Sequence, residues 1–194
     1  KSSGLHARDL IALGVQDHYQ METWNKKAVF DSNPFVPSPV VLPRKGVVLV
    51  ALGNIKAMIF VRHVLVFEAK SDHVTEWAAE LVDLLKTYPV AEQPDDVTFE
   101  TLVLETILNE CCDVFDRRVN LYRRIVQRLS IIEEQDMTSG NLLLRLLPLK
   151  DSLQQFEAVV KETRSTLVRL LQNEEDLLRI LLRHHAAAEK DGKE

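Results

Sequence analysis

Between residues 98 and 136 the chain contains neither proline nor glycine, and this uninterrupted stretch limits what it can fold into more than any other feature. Apolar residues recur through it at three- and four-residue steps: Leu104, Leu108, Cys111, Phe115, Val119, Tyr122, Val126 and Leu129. Such spacing puts them on one face of an α-helix. Thr98 or Asp96 can cap its start, and Ser139-Gly140 ends it. A second stripe follows. Leu146, Leu153, Val160, Leu167, Glu174 and Leu181 stand seven apart, with Leu149, Phe156, Thr163, Leu170 and Leu177 at the complementary positions. Five sustained heptads predict coiled-coil-like packing. Pro148 places the start of the regular helix at about Leu149, and the short break between the stripes makes the helices antiparallel.

Both stripes are wider than a two-helix seam. Leu121, Ile125, Ile132, Leu143, Val159, Leu171, Leu178 and Leu182 flank them. A hairpin alone cannot bury so broad an apolar face, so a sheet, a third helix or another subunit must cover it.

The first half follows a different pattern. Val40-Val41-Leu42, Val47-Val48-Leu49-Val50-Ala51, a run from Ala57 to Val61, and Val64-Leu65-Val66-Phe67 read as strands. Their apolar residues are continuous rather than alternating, as in strands covered on both faces. Pro34, Pro37, Pro39 and Pro43 predict an extended approach to the sheet. A cover helix then starts at Ser71 or Asp72 and repeats Val74, Trp77, Ala78, Leu81, Leu84 and Leu85 up to Pro89. Residues 90–97 read as a linker. The predicted class is α+β (α/β/α): a small mixed β-sheet subdomain over residues 1–97, then a long helical hairpin over residues 98–194.

Composition removes several functions. A net charge of −5 gives no basic field to draw in nucleic acid. No apolar run approaches the roughly 18 residues that span a bilayer, and Lys1-Ser2-Ser3-Gly4 does not read as a signal peptide. As given, the chain reads as soluble. Cys111 and Cys112 are adjacent on a predicted helix, where side chains diverge, so they read as small hydrophobes in a reducing compartment.

The familiar enzyme signatures are missing from the sequence. The sequence has no Gly-rich phosphate loop, Cys-x-x-Cys pair, His-Glu-x-x-His or Gly-x-Ser-x-Gly. His184-His185 point apart on a helix, and His6, His18, His63 and His73 carry no spacing signal. The remaining chemistry is acidic. Glu133, Glu134 and Asp136 close the first long helix, while Glu174, Glu175 and Asp176 interrupt the second. Mg²⁺ takes carboxylate oxygens and keeps several waters, so one or two carboxylates per subunit can hold it at an interface. Glu174 occupies a seam position, where a carboxylate needs a cation, an arginine or water beside it.

Several segments resemble the CorA-type magnesium transporters of mitochondria and plastids. Leu5-His6-Ala7-Arg8-Asp9-Leu10 is similar to that family's "ARDLR". Val40-Val41-Leu42-Pro43-Arg44, leading into Val47-Val48-Leu49-Val50-Ala51-Leu52-Gly53-Asn54-Ile55-Lys56-Ala57-Met58-Ile59, is similar to "ILVR…ILVNLEHIKAII". Val64-Leu65-Val66-Phe67 resembles "VLLLD". Thr98-Phe99-Glu100, with Leu104-Glu105 and Leu108, resembles "PFEFRALEAAL". Leu170-Leu171-Gln172-Asn173-Glu174-Glu175-Asp176-Leu177 resembles "LLDDDEDM". The matches keep the family's order along nearly the whole chain.

The resemblance implies a CorA-like soluble domain facing the mitochondrial matrix, or the stroma of a plastid. It also implies a homopentamer around a cation pathway, with opening regulated by Mg²⁺. In such proteins a stalk helix, two membrane helices and a Gly-Met-Asn signature follow, so membrane contact would come only through downstream helices. Gly53 stands where the family has Glu, and Gln155 and Val159 stand where relatives offer carboxylates. Glu157 stays on that helix beside Glu174, Glu175 and Asp176, and these four are the expected Mg²⁺ residues. Without the family, the heptads read as a helical adaptor that binds a partner helix.

Overall fold

The computed structural model describes residues 8–9, 13, 38–67, 71–87, 98–135 and 140–183. Four strands come first: β1 (Val40–Arg44), β2 (Val47–Leu52), β3 (Ile55–Ile59) and β4 (Val64–Phe67). They form one sheet in sequence order, antiparallel at each junction. The α+β class is therefore as expected, but the sheet is a plain meander rather than mixed. Its connections hold two, two and four residues, far too few for the crossover that a parallel pair needs. Gly46 (φ 79°) and Gly53 (φ 56°) supply the left-handed conformations of the two-residue turns. The last connection is closed by the Phe60 amide donating to the His63 carbonyl at 2.9 Å. Pro43 lies inside β1 rather than in the approach loop. An edge strand tolerates it, because its missing donor can fall on the unpaired side.

Every residue of β2 is buried, as its unbroken apolar run predicts. Val48, Val50 and Leu52 face one core together with Val41, Ile55, Ala57 and Ile59. Val47, Leu49 and Ala51 face the other with Met58 and Leu13. Asp9, next to that second core, is tied to β1. Arg44 donates to its Oδ1 from Nε at 3.2 Å and from a terminal nitrogen at 3.0 Å.

Helix α1 (Asp72–Thr87) starts after Ser71, whose carbonyl accepts the Thr75 amide. It buries Val74, Trp77 and Leu81. Helix α2 (Phe99–Gln135) is capped by Thr98. The Thr101 amide meets Thr98 Oγ1 at 3.4 Å, and the Thr98 amide donates to Thr101 Oγ1 at 3.0 Å. That reciprocal pair is a capping box with threonine in the usual glutamate role. The ridge of α2 against the sheet is Val103, Ile107 and Cys111. Leu104, Leu108 and Phe115 of the predicted stripe flank it, partly buried.

Helix α3 (Gly140–Gln172) starts well before Leu149 and carries Pro148 inside. The proline costs one backbone hydrogen bond, but it is exposed, so water can serve the freed carbonyl. Thr166 Oγ1 fastens α3 to the sheet by donating to the Pro39 carbonyl at 3.2 Å.

The expected five-heptad helix is broken at Asn173, and α4 (Glu174–Ile180) follows. Asn173 leaves the helical region at φ −106°, ψ 97°, and its side chain accepts the Asp176 amide. Asparagine competes for backbone groups in this way and so favours caps over helix interiors. The break turns Ile180 and Leu182 into the core with Leu170. It also removes Glu174 from the seam, leaving it exposed in the first turn of α4. The expected linker at 90–97, Ser139, and the His184-His185 pair lie outside the described residues.

Candidate functional site on the helical hairpin

Helices α2 and α3 run antiparallel, and Phe156 marks where their cover ends. Its ring meets Phe115 edge-on at 5.8 Å and Tyr122 at 5.6 Å. The Arg118 guanidinium lies 5.8 Å over the same ring. Beside it, the Tyr122 hydroxyl reaches Ser152 Oγ at 2.6 Å. On the sheet side, Val103 and Ile107 are fully buried. On the far side the stripe opens to solvent: Val119 is 41 %, Val126 46 %, Leu147 50 % and Leu153 37 % exposed.

The cause is a mismatch of lengths. A helix of 37 residues is about 55 Å long at 1.5 Å per residue, whereas strands of four to six residues reach roughly 20 Å. The sheet can cover only the near part of the hairpin. The rest leaves a groove of about 890 Å³ lined chiefly by Phe115, Val119, Val126, Leu146, Leu153 and Val160, with Lys150, Glu157 and Lys161 along it. The expected cover is therefore found for the near half, while the described residues leave the far half open.

The four expected Mg²⁺ residues do not come together within the chain. Glu157 is exposed on α3 and bonded to Lys161 at 2.7 Å, which holds its carboxyl below the usual range. Glu174, Glu175 and Asp176 lie in the first turn of α4, some 25 Å further along at helical rise. Arg179 pairs with Glu175 and approaches Asp176 at 3.7 Å. Among the described residues no three acidic, histidine or cysteine side chains are placed to hold a metal ion. Glu133, Glu134 and Asp136 lie outside the described side chains.

Gly53, one of the departures from the family pattern, has a structural reason. A Cβ at Gly53 would lie 3.7 Å from Cys111 Sγ, an ordinary contact, so the glycine answers to its positive φ rather than to crowding. Burial pushes the Cys111 thiol up to about 11, and the charges of Cys112 and Glu110 add to that.

Two polar features had no signal in the sequence. Glu100, 1 % exposed, accepts the Arg183 amide on Oε1 at 2.8 Å, while its Oε2 is buried with no hydrogen-bond partner. It ties the first turn of α2 to the segment after α4, across 83 positions, a separation that no local pattern reveals. The other is an acidic shoulder between α1 and α2. A crevice of about 250 Å³ there is lined by Trp77, Glu80, Thr106, Asn109, Glu110 and Asp113 among others. Arg117 donates to Glu110 Oε1 at 2.7 Å, with His73 Nε2 2.6 Å from the same oxygen.

The fold is thus a meander sheet that carries a helical hairpin far longer than itself. The sequence matches the family described as "Magnesium transporter MRS2-like" over residues 4–194, and the chain belongs to that family, a branch of the CorA-type magnesium transporters. It is 27 % identical over 164 residues to MRS2-8 of Arabidopsis thaliana, described as a candidate inactive magnesium transporter. That alignment takes in 79 % of this chain and 55 % of the relative, so the chain spans little more than half the relative's length. No described helix is long and apolar enough to cross a membrane.

Proposed function

We propose that the chain is the regulatory, amino-terminal part of a subunit in a CorA-like magnesium transporter, working as one of several identical subunits. The open groove at the far end of the hairpin carries this reading. An apolar face of that size on a member of a transporter family is a place for another chain to sit. The cation is the cargo of the complete protein. This part binds, positions and transmits, and performs no chemistry.

A regulatory Mg²⁺ on Glu157, Glu174, Glu175 or Asp176 would have to be shared between subunits. Within one chain Glu157 stands far from the other three, which share the first turn of α4, and Glu157, Glu175 and Asp176 are engaged by Lys161 or Arg179. Such an ion would keep most of its water. Gly53, Gln155 and Val159 remove carboxylates from the family pattern, so we expect weak sensing, in keeping with a relative described as inactive. Membership of a magnesium transporter family supports a membrane location for the complete protein. We assign the mitochondrial inner membrane, with this part in the matrix, and a plastid membrane is the alternative. Calorimetry and sedimentation with and without Mg²⁺ at millimolar levels test the sensing role. The absence of both heat and a change in assembly or stability would remove it. The competing reading, an adaptor that docks a foreign helix, predicts a continuing soluble coil downstream in the gene rather than two apolar spans with Gly-Met-Asn.

A further inference from the structure

Helices α2 and α4 bring their own caps. Thr98 and Thr101 share the start of α2, and Asn173 accepts the Asp176 amide at the start of α4. The next helical turn does not. After α4 the chain leaves the helical region at Leu181, with φ −74° and ψ 68°, and re-enters it at Leu182 and Arg183. Leu181 therefore stands in the capping position, and a leucine side chain offers no acceptor to the free amides of a first turn. The acceptor comes from elsewhere. Glu100 Oε1 accepts the Arg183 amide at 2.8 Å. Arg183 is the second helical residue after Leu181, and its amide is one of the two that a capping side chain serves.

The surroundings suit a cap. Glu100 is 1 % exposed, and its Oε2 is buried with no hydrogen-bond partner among the described residues. A second acceptor thus stays ready for a neighbouring amide of the same turn. Glu100 itself lies in the first turn of α2. The positive ends of two helices meet at one carboxylate, which offsets the cost of burying it. Leu182 is buried in the same core as Val103 and Ile107 of α2, so the new turn starts against the helix that caps it. From Leu182 to Asp191 the sequence holds neither proline nor glycine and includes Ala186-Ala187-Ala188, strong helix formers.

We propose that Glu100 is the N-terminal cap, supplied from α2, of the helix that starts at Leu182. It is thereby the joint that sets the direction in which the chain leaves the sheet. The start of α2 and the start of the outgoing helix are fixed to one carboxylate. A shift of α2 on the sheet is then carried to the chain beyond Arg183. Nothing in this joint depends on a bound cation or on a second copy.

Glu100→Met, a side chain of similar length with no oxygen, tests it in the whole chain against Glu100→Gln, which keeps an acceptor. In Glu100→Met, amide hydrogen exchange should quicken about five- to tenfold from Arg183 to Ala188, the size of one lost cap, with amides inside α2 and α4 unchanged. Glu100→Gln should keep the wild-type rates. Spin labels on Cys112, exposed on α2, and on Glu189→Cys give the direction. They should report one narrow distance in the otherwise wild-type chain and in Glu100→Gln, and a broad one in Glu100→Met. Circular dichroism melts confirm that each variant folds. Either readout unchanged in Glu100→Met overturns the proposal. So does a loss of protection spread evenly over α2 and α4, which would mark Glu100 as ordinary core support. Glu100→Gln behaving like Glu100→Met overturns the hydrogen-bonded cap.

Discussion

Phe156 and Leu147 lie on the same helix about two and a half turns apart, yet shortening them should have very different consequences. Phe156 is 8 % exposed and packs against Phe115 and Tyr122. Phe156→Ala removes a buried ring that α3 needs to stay on α2, at a cost of about 3–4 kcal/mol. Leu147 is already 50 % exposed. Full burial of a leucine contributes roughly 1.5–3 kcal/mol, so Leu147→Ala should cost about 1 kcal/mol. Urea denaturation of both variants, at a concentration where the chain is monomeric, gives the comparison through the midpoint at unchanged slope. Repeating it at high concentration should raise the Leu147→Ala cost, because association then buries that residue. Equal losses for the two variants at high dilution would refute the reasoning: the groove would then be covered within one chain.

Three further outcomes follow from local geometry. Gly53→Ala should lose about 1–2 kcal/mol from the left-handed backbone alone, and Gly46→Ala should lose a similar amount; a much larger loss at Gly53 in thermal melts would show that Cys111 crowds the turn after all. Glu100→Ala should cost about 2–3 kcal/mol and speed hydrogen exchange at the Arg183 amide. Glu100→Gln, which keeps an acceptor, should preserve that protection. Because burial raises the Cys111 thiol to about 11, its neutral form belongs to the folded state. Its contribution is complete below the ordinary thiol value and is lost as pH rises through about 11. A Cys111→Ala chain should show a flatter decline over that window, and iodoacetamide at mildly alkaline pH should label exposed Cys112 well before buried Cys111.

Much of this architecture is local, and the sequence alone determined it. Unbroken apolar runs with glycine turns made the strands, and a strand surrounded by other elements has no polar face to show. Thr98 and Thr101 cap α2 within three residues of each other, and the absence of proline and glycine carries that helix to Gln135. The excess width of the two stripes already required outside cover. The sheet's hand of pairing was also latent in the short connections, although the expectation of a mixed sheet overlooked them.

The tertiary structure decided the rest, because those outcomes depend on distance and competition rather than pattern. Asn173 fits a heptad equally well in a continuous helix or as a cap, and only the pull of Ile180 and Leu182 into the core selects the break. That choice moved Glu174 out to solvent. Glu100 reads as an ordinary first-turn acid until Arg183, far along the chain, folds onto it. Finally, no periodicity states how far a short sheet reaches along a long hairpin. That reach sets which leucines are buried by the chain itself and which are left for a neighbour.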